Sequence, residues 1–184
     1  MPSSSPCYTW LDFPSLSQSP PYVISVASHP NESRRIEFIA SSADVNAVLG
    51  TWRLQSYVRE VLETGERYNQ FGDDPDGYIG YSPDGRMYAI FTRKDRQTPA
   101  DAVPTDEEGV KLLGTMVAYA GTFTLEAEKV THHIDISWNQ AWTGTDQVRF
   151  YKLDGETLSI TTAPYKSYID GKEGRSILVW KKLK

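Results

Sequence analysis

Cysteine occurs once in the 184 residues, at Cys7, so the chain can form neither an internal disulfide nor a cysteine-based metal site. That usage fits a reducing, cytoplasmic compartment. No run of 18 apolar residues occurs, which excludes a membrane-spanning helix. Met1-Pro2-Ser3-Ser4-Ser5 lacks the basic start of a secretory signal, and no apolar run of the needed length follows. Without secretion, the sequon Asn31-Glu32-Ser33 has no acceptor role. Basic residues are outnumbered, 19 against 24, leaving a net charge of −5 and a pI of about 5.2. Nucleic acid and anionic membranes are therefore poor partners. There is no Gly-x-Ser-x-Gly, no phosphate loop and no dinucleotide fingerprint. Hydrolase, kinase and nicotinamide chemistry are disfavoured, and no cofactor is expected.

What the chain does have divides at about residue 42. Residues 1–42 hold six of the eleven prolines and eleven serines, which forbids a long helix there. Two short apolar runs, Tyr22–Val26 and Ile36–Ile39, interrupt this segment. It reads either as a disordered tail or as an arm that lies along the remainder. Residues 43–184 read as one barrel domain. Aromatic residues, 12% of the chain, supply a core or a cavity wall.

Ser42 to Leu49 reads as a short helical turn stopped at Gly50, placed to plug one end of the barrel. Thr51 to Leu62 then reads as a strand. Period two puts Trp52, Leu54, Ser56 and Val58 on the inner face and Arg53, Gln55, Tyr57 and Arg59 on the outer. Asn69 to Gly77 is an acidic loop without the spacing of a calcium loop, hence solvated. Ser82-Pro83-Asp84-Gly85 has the chemistry of a tight turn between two strands. Thr105, with Glu108 three residues on, forms a capping box that opens one substantial helix. Its stripe of Val110, Leu113, Val117 and Ala120 is expected to pack on the barrel, and Gly121 to end it. The rest is meander: 122–126, 130–138, 145–153, 157–162 and 175–183. The count is about eight strands and one capping α-helix, an all-β, antiparallel up-and-down barrel.

Several stretches resemble, in order, the lipocalin-like domain proteins of bacteria and fungi. They are Leu49-Gly50-Thr51-Trp52-Arg53-Leu54, Tyr81-Ser82-Pro83-Asp84-Gly85, Ala118-Tyr119-Ala120-Gly121-Thr122, Val130-Thr131-His132-His133, Gly144-Thr145-Asp146-Gln147-Val148-Arg149 and Leu178-Val179-Trp180. The resemblance covers about residues 48–183 and implies a calycin-like barrel around an internal cavity. It implies no reaction, because fold alone does not carry function. Related small barrels include cofactor-free cyclases, isomerases and dehydratases of natural-product pathways.

His132 shares its face with Val130, Ile134 and Ile136 and so points inward; His133 faces water. Adjacent residues on a strand cannot meet at one centre, so no metal site is expected. His132 is either a bonded core histidine or a general acid or base. Gln147, Arg149 and Tyr151 alternate with Val148 and Phe150. Either the apolar pair faces in, or the polar row does and forms a hydrogen-bonding wall with a fixed charge; the resemblance favours the second. A buried arginine needs a carboxylate, from the protein or from a ligand. In calycins a basic side chain stacks on the first-strand tryptophan, and Lys181 or Lys182 could take that place instead of Arg149. Trp52, Tyr81, Tyr88 and Trp138 are expected to wall the cavity, with Trp142 a further candidate.

These residues support a cofactor-free isomerase, cyclase or dehydratase acting on a hydrophobic oxygenated molecule, such as a polyketide or terpenoid intermediate. His132 would move the proton, while Arg149 with Tyr151 or Gln147 would hold an enolate-like oxygen. The rival is a non-catalytic carrier or sensor of the same kind of molecule. A third reading is a module whose barrel is filled by its own side chains. An exposed strand edge or the arm would permit a homodimer.

Overall fold

The computed structural model describes residues 42–167 and 171–184, with side chains from residue 45. The readings of the proline-rich segment lie outside them. The strands, in chain order, are β1 (Gly50–Val61), β2 (Arg67–Asn69), β3 (Asp76–Tyr81), β4 (Arg86–Thr92), β5 (Met116–Leu125), β6 (Lys129–Ser137), β7 (Asp146–Asp154), β8 (Thr157–Thr162), β9 (Tyr165–Lys166) and β10 (Glu173–Lys182). The helices are α1 (Ser42–Val48) and α2 (Asp106–Gly114), with a short 3₁₀ turn at Gln140–Trp142.

Every pairing is antiparallel, in the order β2-β1-β3-β4-β5-β6-β7-β8-β10-β9, and β1 also pairs with β10. That last ladder, from Trp52↔Lys182 to Val61↔Gly174, closes an eight-stranded barrel; β2 and β9 extend its rim. Closure removes the free edges of an open sheet and gives each strand one inner and one outer face. No helix among the described residues is long and apolar enough to cross a membrane.

One end of the barrel is sealed by α1. Val48 is buried, and its carbonyl accepts from the Trp52 indole at 2.9 Å. The Lys182 ammonium sits 5.0 Å from the centre of the Trp52 ring and donates to the Ala47 carbonyl at 3.1 Å. The last carbonyls of a helix have no partner within it, so a cation and an indole N–H here satisfy groups that would otherwise be buried unpaired. Lys182 thus occupies the place beside the first-strand tryptophan and leaves Arg149 elsewhere.

Two expectations are corrected. In β1 the register against β10 shifts between Leu54 and Ser56, a bulge at Gln55. One extra residue inverts every later side chain. Trp52 and Leu54 point in as expected, but beyond the bulge Tyr57, Arg59 and Val61 point in, not Ser56 and Val58. Arg59 is 1% exposed; its guanidinium lies 4.4 Å above the Tyr165 ring and donates to the Lys172 carbonyl at 3.0 Å.

The second correction concerns α2. Its capping box is present: the Thr105 hydroxyl accepts from the Glu108 amide, and the Glu108 carboxylate accepts from the Thr105 amide at 2.8 Å. The helix ends at Gly114, however, and none of its residues is buried. Val110 and Leu113 stay exposed. Val117 and Ala120 belong instead to β5, where Val117, Tyr119 and Gly121 are buried at period two.

Gly121 sits at a second register shift, between β5 and β6, with the His133 carbonyl lying where a Cβ would go. Backbone cannot yield as a flexible side chain can. Gly121→Ala is therefore expected to lower stability by about 2–3 kcal/mol, read from the denaturant midpoint. Gly109→Ala, where a Cβ would meet open space, should not destabilise.

Candidate functional site

Adjacent strands bring the polar residues together. In β6, Val130, His132 and Ile134 alternate inward between outward Thr131, His133 and Asp135. His132 lies opposite Phe123 of β5 and Gln147 of β7. It is fully buried and held from both sides. The Tyr81 hydroxyl is 2.9 Å from Nε2 and the Tyr119 hydroxyl 3.1 Å from Nδ1. A neutral imidazole has one donor and one acceptor, so one tyrosine accepts from the ring while the other donates to it. Burial, first, and then the positive Arg149 push the His132 pKa well below its ordinary value. Burial likewise raises both tyrosines, Tyr81 strongly, while Arg149 opposes the rise. The triad is held uncharged. The partners of His132 are thus two hydroxyls. His133, on the outer face, pairs with Asp146 at 2.7 Å and meets Thr124 at 3.1 Å.

The row on β7 turns its polar side inward. Arg149 is 8% exposed and Gln147 is half-buried, whereas Val148 and Phe150 are exposed. Arg149 donates to the Val148 carbonyl at 3.0 Å and to Gln147 Oε1 at 3.3 Å, and it lies near enough to the Tyr119 hydroxyl to oppose the rise in its pKa. All three are neutral. Among the described residues no carboxylate lies within ion-pair distance of its guanidinium.

These residues border a cavity of about 570 Å³. Its two sides differ in character. Tyr119, His132, Gln147 and Arg149, from β5, β6 and β7, form a polar wall. Across from it Tyr57, Phe71, Phe91 and Trp180 make an aromatic wall. There Tyr57 meets Phe71 edge-on at 5.0 Å and Phe91 at 5.6 Å, and Phe91 meets Trp180 at 5.7 Å. Such pairs each contribute about 0.5–1.5 kcal/mol beyond simple burial. The rim is built by the β6–β7 connection, with Trp138 and Trp142 edge-to-face at 4.8 Å, and by residues 163–167. Asn139 caps the 3₁₀ turn by accepting from the Ala141 amide, which aims Trp142 back onto Tyr119, 5.7 Å between ring centres.

Of the residues expected at the site, His132, Arg149, Gln147 and Trp138 line this cavity. Tyr81 stands behind His132, out of the lining. Trp52 lies in the floor under α1 and is also outside the lining. Tyr88 projects from the outer face of β4 across Gly80, its hydroxyl 3.4 Å from that of Thr51. Tyr151 lies on the inward row, but its hydroxyl donates to the Glu126 carbonyl at 3.3 Å, away from the cavity. The hydroxyl beside Arg149 belongs to Tyr119. A helical reading had hidden it; the alternation Val117, Tyr119, Gly121, Phe123 was the available signal. Tyr57 was hidden by the bulge. Phe71 was hidden because its acidic loop read as solvated. The loop's carboxylates do face out, Asp76 pairing with Arg53 at 2.6 Å and Asp74 with Lys94, while Phe71 turns in. Among the described residues no group of three His, Cys, Asp or Glu side chains could hold a metal ion.

Residues 49–183, most of the chain, match the lipocalin-like domain family. The chain belongs to that family. A curated relative is the 4'-hydroxy-3'-methoxypropiophenone carrier protein ppsC of Aspergillus oryzae, 33% identical over 87 residues, which are 43% of this chain and 78% of the relative. Two solved structures are also similar. One is a lipocalin-like protein from Bacteroides uniformis, 14% identical, TM-score 0.41, spanning 74% of this chain and 99% of that one. The other is an uncharacterized protein from Bacteroides eggerthii, 13% identical, TM-score 0.37, with the same coverage.

The buried imidazole makes the stability of this lipocalin-like barrel depend on pH. Unfolding releases His132 to its ordinary value of about 6.5, so below that pH the unfolded chain binds a proton that the folded one refuses. Stability is therefore full above that value and falls as the pH drops through it. From pH 7.5 to 5.5 the loss is expected to be about 1.4 kcal/mol, before the carboxylates titrate. Urea unfolding at the two pH values measures it, and His132→Gln should flatten the difference. Tyr81→Phe should lower stability by about 1–3 kcal/mol at pH 7.5, because it leaves Nε2 buried without its partner.

Proposed function

We propose that the barrel binds a hydrophobic, oxygenated aromatic small molecule in its cavity and carries it unchanged. The observation that bears most weight is the division of the cavity into an aromatic wall and a hydrogen-bonding wall. A wholly apolar ligand would strip water from the Arg149 guanidinium, whose charge no described carboxylate offsets, at a cost of several kcal/mol. A wholly polar one would waste the aromatic face. A flat molecule with oxygens along one edge satisfies both. The size fits a ligand of two or three rings, and the carrier named among the relatives handles a hydroxylated, methoxylated aryl ketone. With one cysteine in the chain, a cytoplasmic setting suits this role.

Catalysis is the second reading, and one contact favours it. Tyr119 lines the cavity, is hydrogen-bonded to His132 and lies close to Arg149. A proton could pass between ligand and His132 through that hydroxyl, in an isomerisation, cyclisation or dehydration. Against direct proton abstraction, both ring nitrogens of His132 already have partners.

Trp138, Trp142 and Trp180 line the cavity and report its occupancy. Titration with hydroxylated aryl ketones is expected to quench their fluorescence saturably, with a Kd in the micromolar range or below, and mass spectrometry should recover the ketone unaltered. Turnover that disappears in both His132→Gln and Tyr119→Phe would replace the carrier by the enzyme. Absence of binding across a panel of aromatic probes would remove both.

A further inference from the structure

We infer that the cavity selects ligands carrying an anionic oxygen group, a carboxylate or an acidic enol or phenol bound ionised, and that Arg149 is the residue that selects them. The inference rests on the small-molecule reading above and sharpens it to a ligand class. Arg149 is more than nine-tenths buried, yet its hydrogen bonds go only to neutral oxygens, those of Val148 and Gln147, with the Tyr119 hydroxyl close by. A guanidinium stays charged at any pH the fold survives, and burying its charge without a counter-charge is costly. Arg59, the other buried arginine, is covered by the Tyr165 ring; Arg149 has neither such a ring nor a carboxylate within ion-pair distance among the described residues.

Among the described residues the only acidic one bordering the cavity, Asp146, is committed to His133 on the outer face. The other basic residue on the lining, Lys166, is exposed at the rim. The interior is therefore positive, although the whole chain carries −5. Long-range steering does not bring an anion here; local burial rewards it once inside, since a charge pair screened from water is far stronger than one in solvent. Arg149 also presents a planar fork that suits two oxygens of a carboxylate, or one oxyanion shared with the Tyr119 hydroxyl. The Gln147 amide holds one arm of that fork at 3.3 Å, so the guanidinium is positioned before ligand arrives.

Two probes of nearly equal shape test this on the full chain: 2-naphthoate, an anion, and 2-acetonaphthone, its neutral methyl ketone counterpart. Binding is read from tryptophan fluorescence at pH 7.5 and low salt. Wild type is expected to bind the naphthoate at least tenfold more tightly. Arg149→Gln should bring the two within about twofold, by weakening the naphthoate much more than the ketone, and its circular dichroism and urea midpoint show that the variant is folded. Arg149→Lys, which keeps the charge but loses the fork, should retain part of the preference, and Lys166→Gln should retain it all. Equal affinities in wild type, a preference that survives Arg149→Gln, or one that is lost instead with Lys166→Gln would overturn the inference and leave the carrier reading standing. Failure of both probes to bind wild type would overturn the two together.

Discussion

β1 and β10 stand far apart in sequence and become neighbours only when the sheet has curled through a full turn. Their ladder closes the barrel, and every other feature depends on it. Closure gives all eight staves a common interior. It brings residues from β1, β3, β4 and β10 to face those from β5, β6 and β7 across one space. It also fixes which end is sealed. Trp52 and Lys182 are register partners in that ladder, and both donate to the last carbonyls of α1. The seal is thus made by the same pair that begins the closure.

Within that frame the interior has not been filled with uniformly apolar side chains. A barrel of this size can pack solid or hold one small ligand. Here Tyr57, Phe71, Phe91 and Trp180 gather on one side, Trp138 and Trp142 stand at the rim, and Tyr119, His132, Gln147 and Arg149 make the opposite side. Tyr81, His132 and Tyr119 form a hydrogen-bonded series in which each member has a partner. A satisfied buried network is rigid, and it costs much less than the same groups left unpaired. The series ends on Arg149, whose charge has no protein counter-ion among the described residues. The binding reading and its preference for anions both arise at that junction, where a rigid neutral network meets one buried positive charge.

Much of this is legible in the residues alone. β6 alternates from Val130 to Ile134, which places His132 inside and His133 outside; the register shift beyond it breaks the alternation and leaves Ile136, expected inside, exposed. The turn at Ser82–Gly85 and the capping box at Thr105 depend on a few neighbouring residues, and both formed as expected. The ambiguous row on β7 was resolved only by the sheet, because Gln147-Val148-Arg149-Phe150 alternates equally well in either phase. The errors have a shared cause. Tyr57 and Arg59 were misplaced by a bulge that a period-two count cannot detect. Tyr119 was misplaced because Val110, Leu113 and Val117 keep helical spacing across a helix end.

The sequence by itself determined the strand pattern, the turns, the absence of a disulfide framework and the presence of polar residues at inward positions. These are set by interactions between near neighbours along the chain, which composition and periodicity record. Tertiary structure alone decided which phase each ambiguous strand adopts and which tyrosines reach His132. It also decided that Arg149 would be buried away from every described carboxylate. Those outcomes depend on partners brought together by barrel closure, and no local pattern encodes the distance between residues on different strands.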